Sequence, residues 1–207
     1  MSQHNFTPGN QNALVEFKVN KAIPHKEILG QLLEQIEKID FRERAGITKE
    51  NEKVNGKHHL VISIEAILEF AHKNDWGICQ NNGSIYLFNS AYWSLVGREE
   101  LKTFLGQAAE KLGVDLFDAR FYDFRDKLLK QFQSASNFPK PELPFDVVLI
   151  NLMNGTFEIG LEKQQLRIPS RSDFITHQLP FDYDPVALCP IFSSYLYIPV
   201  KVSHHSG

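Results

Sequence analysis

The chain has 207 residues, 43% of them hydrophobic and 12% aromatic, with 22 Lys plus Arg against 25 Asp plus Glu for a net charge of −3. Its apolar share and Phe content supply a buriable core that disordered, collagen-like and coiled-coil sequences lack. The charge balance argues against a surface devoted to neutralising phosphates. Two cysteines, Cys79 and Cys189, make neither a disulfide framework nor a four-ligand zinc site, so a cytoplasmic setting is expected. No apolar run approaches the ~20 residues that span a bilayer, and Gln3, His4, Asn5 and Phe6 do not start a secretory signal.

Residues 1–59 read as an N-terminal arm, one amphipathic helix and a polar linker. Leu14, Val15, Phe17 and Val19 alternate like an edge strand within the arm. Ile28, Leu29, Leu32, Leu33, Ile36 and Ile39 fall at helical spacing, predicting a helix over 26–41. Residues 42–59 are charged, contain Gly46 and Gly56, and predict a loop.

Residues 60–138 predict a helical subdomain with a β-hairpin. A helix is expected over 63–74, with Ser63 as its cap. Two β-prone runs, 77–79 and 85–88, flank Asn82-Gly83, a strong hairpin signal. Residues 91–95 offer a third strand. The next helix, 98–112, stops at Gly113. Phe117, Phe121, Phe124, Leu128 and Phe132 then predict one continuous helix over 117–132. Three prolines within 134–144 end helical structure.

Beyond them the pattern becomes β. Residues 147–152 form a continuous apolar run, Asn154-Gly155 signals a turn, 156–159 returns, and 166–168 can pair with it. Residues 145–196 therefore predict a smaller β-rich unit, and 197–207 a divergent tail in which His204 and His205 read as terminal residues. The expected fold is α+β: a helical N-terminal half with a β-hairpin, followed by a smaller β-rich C-terminal unit.

Catalytic signatures are sparse. Gly56-Lys57 is followed by His58 and lacks the upstream glycine of a phosphate-cradling loop. No G-x-S-x-G elbow or H-E-x-x-H helix occurs. His58 and His59 are adjacent and point apart, and Cys79 lies in an apolar strand as a small core residue. Asp115 with Asp118, and Asp182 with Asp184, are acidic pairs; the first suits a helix start, and a nucleotide or metal enzyme would need it for chemistry. No catalytic residue, cofactor or metal ligand is assigned. The basic face carrying Arg120, Arg125, Lys127 and Lys130 is the one candidate nucleic-acid contact, of sequence-independent type. Ion pairs of Asp123 with Lys127 and Asp126 with Lys130 would make the same face a solvated one.

The run 147–159, then Asp173-Phe174-Ile175-Thr176, Leu179-Pro180-Phe181-Asp182-Tyr183-Asp184-Pro185 and Cys189-Pro190-Ile191-Phe192, resembles the poxvirus-type N-terminal-like domain of phage, plasmid and viral primase-helicases. The stretch from Gly83 to Trp93 resembles that family's hairpin ending in Tyr-Trp. The resemblance covers about residues 60–196. Its motif positions here are Asn151, Asn154, Gly155, Asp173, Pro180, Tyr183, Pro185, Cys189 and Pro190, which read as architecture: a tight turn at Gly155, an extended exit at the prolines, an aromatic lid at Tyr183. The resemblance implies a superfamily III helicase domain, and a primase domain, as partners. The function it implies is that of a non-catalytic accessory domain, in replication of a mobile element, that positions the helicase or its partner. The chain then reads as the accessory part of something longer, with weak DNA binding as the alternative role.

Overall fold

A computed structural model describes residues 22–74, 76–137, 146–188 and 190. The expected edge strand at 14–19, Cys189 and the tail 197–207 lie outside the described residues. The fold is α+β, as the sequence predicts: a helical core carries one three-stranded sheet, and a second three-stranded sheet follows.

Helix α1 (His25–Gln35) buries Ile28, Leu29 and Leu32. It ends six residues before the predicted stop. Ile36 is extended yet buried, and the Ile39 N–H donates to the Leu112 carbonyl at 3.1 Å, so the apolar series reaches the core without staying helical. Asp40 then accepts from the N–H groups of Arg42 and Glu43 and starts α2 (Phe41–Arg44), where the sequence predicted a loop.

Helix α3 (Gly56–Lys73) begins seven residues before Ser63. Asn55 is the cap: its side chain accepts from the Lys57 and His58 N–H groups at 3.0 and 3.1 Å, and the His58 ring accepts from the Asn55 N–H at 3.3 Å. Ser63 is buried inside the helix instead, with no hydrogen bond to its hydroxyl among the described residues.

Strands β1 (Ile78–Asn81), β2 (Ser84–Phe88) and β3 (Trp93–Leu95) form an antiparallel meander. The β1–β2 turn holds Asn82 and Gly83 at φ 49° and 77°, the two positive values a mirror-image two-residue turn needs. Helix α4 (Arg98–Leu112) follows, then α5 (Leu116–Arg120) and α6 (Tyr122–Ala135). The predicted single helix is broken at Phe121, whose backbone is extended (φ −66°, ψ 130°). The break has a cause: Ala119 is buried, and the Arg125 Nε donates to its carbonyl at 3.2 Å, closing α5 from the side.

The core lies among α1, α3, α4 and α6. Leu32, Ile64, Ile67, Leu101, Leu105, Leu112, Leu128 and Phe132 are fully buried there, each stabilising the fold by roughly 1.5–3 kcal/mol relative to exposure. The second sheet, β4 (Val148–Leu152), β5 (Gly155–Ile159) and β6 (Gln164–Arg167), is a meander in register Leu152↔Gly155 and Thr156↔Arg167. The turn is Met153–Asn154, so Gly155 opens the returning strand rather than occupying the turn. Its φ is 150°, and a Cβ there would stand 2.7 Å from the Arg167 carbonyl oxygen.

Candidate functional site

Two constellations hold the residues singled out from sequence. The first surrounds the second sheet. Asn151 is buried; its Nδ2 donates to the Ala91 carbonyl at 3.0 Å and to the His177 carbonyl at 3.1 Å, and its Oδ1 accepts from the Thr156 hydroxyl at 3.4 Å. One amide thus ties the second sheet to the turn before β3 and to the segment that follows the sheet. Asn154 clamps the Tyr183 peptide from both sides, donating to its carbonyl at 2.9 Å and accepting from its N–H at 2.8 Å. The Tyr183 ring is stacked on Phe157 with centroids 4.4 Å apart. Asp173 takes both terminal nitrogens of Arg167 at 2.8 and 2.9 Å, while the Arg167 Nε donates to Glu158 at 2.7 Å. The Arg167 guanidinium holds the Glu158 carboxyl below the usual glutamate range. Pro180, Pro185 and Pro190 are exposed.

The sequence missed the partners on the other side of this joint. The Trp93 indole N–H donates to the Arg171 carbonyl at 2.7 Å, its backbone N–H donates to Ile175 at 2.8 Å, and the Arg171 guanidinium reaches the Trp76 carbonyl at 3.2 Å. Phe174 packs its ring between Tyr86 and Trp93, at 5.3 and 5.4 Å, from a backbone at φ 48°. A non-glycine residue is held there only where its surroundings over-determine it. Tyr-Trp at the end of the hairpin was the signal available. Its meaning depends on contacts about 80 residues away along the chain.

The second constellation is the basic face. Arg120 pairs with Glu110 at 3.2 Å and Lys127 with Asp123 at 2.5 Å. Arg125 is half-buried and closes α5 against Gly106 of α4, where a Cβ would stand 2.7 Å from its Nε. Asp126 pairs with Lys102 at 2.7 Å rather than with Lys130, which raises the lysine's pKa and lowers the aspartate's. Lys130 is exposed and in no ion pair among the described residues.

Beside this face the break at Phe121 exposes rings: Phe117 is 81% exposed, Phe121 53% and Tyr122 72%. Of these Phe121 borders a cleft of about 750 Å³ between the first turn of α3 and the α5–α6 corner. His59 lines it, edge-on to Phe41 at 4.8 Å, with its pKa lowered by burial against the opposing pull of Asp118. Asp115 accepts from the Phe117 and Asp118 N–H groups and caps α5, and Asp184 caps the turn at Val186. Cys79 is buried, its thiol pushed up to about 12 by desolvation. Among the described residues no three His, Cys, Asp or Glu side chains group as a metal site would require, and no helix is long and apolar enough to cross a membrane.

A family model described as "D5 N terminal like" matches residues 65–197, well over half of the chain. Neither a curated protein nor a solved structure matches it.

Proposed function

Because the chain belongs to the D5 N-terminal-like family, the N-terminal domain of phage and viral primase-helicase proteins, we propose that it acts as a non-catalytic accessory domain in replication of a mobile element. It positions a superfamily III helicase domain, or a primase domain, relative to its own helical core. In this reading residues 60–138 and 145–196 are the working units, in a cytoplasmic setting. The observation that carries it is the use of the motif side chains: Asn151, Asn154 and Asp173 all bind main chain or a structural arginine, which holds the segment after the second sheet at a fixed position on the hairpin. Groups engaged in that way orient a neighbouring domain rather than turn over a substrate.

The test is a pull-down of a separately expressed helicase domain of the same family by the full chain. Retention by the wild type and its loss in Asn151→Ala, with unchanged helical circular dichroism, is expected; no retention by the wild type overturns the reading. A second reading, weak sequence-independent DNA contact through Arg120, Arg125, Lys127 and Lys130, keeps the support of exposed Lys130. The first three side chains are engaged by Glu110, Ala119 and Asp123.

A further inference from the structure

We propose that the apolar face of the second sheet is a docking surface for a protein partner, namely an amphipathic helix whose aliphatic side is flanked by Lys and Arg. The inference rests on the positioning role proposed above and gives the positioned domain a place and a chemistry.

The two faces of the sheet follow from its register. Directly paired residues of an antiparallel sheet share a face, and neighbours along a strand alternate. Val148 with Ile159, and Ile150 with Phe157 and Leu166, therefore make one face, while Asn151, Thr156, Glu158 and Arg167 lie on the other. The polar face is the one turned to the body of the protein, because Asn151 reaches the Ala91 carbonyl from it. This inverts the usual arrangement, in which a sheet buries its apolar face against a second layer. The apolar face points away from the helical core, and among the described residues no helix or other strand packs extensively on β4, β5 or β6. Tyr183 covers Phe157, but Val148 remains 56% exposed and Leu161, just beyond the end of β5, 86%. An apolar surface left open in this way, rimmed by polar groups, marks an interaction site.

The dimensions and the rim select the occupant. Strands spaced about 4.8 Å apart put the outer two of three roughly 10 Å apart, the width of one α-helix. Five residues of strand match about three helical turns in length. Asp146, Glu162, Asp182 and Asp184 border the face, each one or two residues from Val148, Leu161 or Tyr183. All four are exposed and in no ion pair among the described residues, and Lys163 is the one exposed lysine or arginine between Asp146 and Leu188. The rim is therefore negative and complements a basic partner. It repels nucleic acid and anionic lipid, and a second copy of the chain would set carboxylate against carboxylate.

The experiment is a binding isotherm of a separately expressed helicase domain of the same family on the full chain, at several salt concentrations. Val148→Ser combined with Leu161→Ser should weaken binding at least about tenfold, with unchanged circular dichroism. Glu162→Lys combined with Asp182→Lys should weaken it and reduce its salt dependence, whereas Lys163→Glu should strengthen it. Opposite responses to the two charge changes are a signature that loss of fold does not produce. No binding by the wild type overturns the positioning role and this surface with it. Undiminished binding by the serine variant, or a shift in the same direction from both charge changes, overturns the surface alone. So does a dimer of the full chain, seen by sedimentation and dispersed by the serine variant while helicase binding is unchanged, because the face would then be a contact between copies.

Discussion

The helical core and the second sheet are held together by different physics. From α1 to α6 the buried positions are almost all aliphatic or aromatic, and Ser63, Asn89 and Ser136 are the polar exceptions. In β4–β6 the fully shielded side chains are Leu152, Asn151 and Thr156, two of the three polar. Area burial is tolerant, because many side chains share the load and neighbours relax. Directed hydrogen bonds to buried carbonyls are not, because removing one partner strands the other in a dry place. The two regions should therefore fail differently under substitution.

The largest effect is expected in the core. Phe132→Ala removes a fully buried ring from the contact of α6 with α3 and α4 and should cost about 3–5 kcal/mol. Thermal denaturation followed at the helical circular-dichroism band would show the whole protein melting earlier, by at least roughly 6 °C for a chain of this size. A shift confined to the second sheet would contradict a shared helical core.

Asn151→Ala is expected to act more locally. It leaves the Ala91 and His177 carbonyls without the amide that now binds both, a loss of about 1–3 kcal/mol for each group that stays dry. Hydrogen exchange should rise in 146–188 and at the β3 edge, while α3 and α4 keep their protection. Uniform loss of protection would show that the two regions unfold as one. Gly155→Ala tests the same joint sterically: a Cβ 2.7 Å from the Arg167 oxygen on a φ of 150° is expected to cost about 1–3 kcal/mol, read as a lowered denaturant midpoint.

The same division sets how much was legible in the sequence. Apolar periodicity located the helices because burial by area leaves a repeating mark. It missed α2 and misplaced the helix ends at Gly56 and Phe121, since those depend on single groups: Asp40, Asn55 and the reach of Arg125 to Ala119. The Phe spacing across 117–132 read as one apolar stripe, but the break turns its first two members outward. In the second sheet the asparagines and Asp173 were identifiable as architectural, yet Asn151 and Asn154 bind the main chain of Ala91, His177 and Tyr183, which carries no side-chain signature. The cleft was invisible for the same reason, since Lys57 and Phe121 meet only after α3 and α6 pack.

The smallest effect concerns acid. Glu158 is held below its ordinary pKa chiefly by the hydrogen bond from Arg167, so its folded form binds a proton less readily than its unfolded form. The stability it contributes is complete above the unfolded value and fades as pH falls toward the depressed folded one. The joint around Arg167 should therefore loosen on acidification. Glu158→Gln should flatten the pH dependence of melting below the ordinary glutamate range while leaving neutral-pH melting nearly unchanged, because the pair is partly solvated and such pairs contribute little. An identical acid profile in the variant would mean that the carboxylate is not titrating against Arg167.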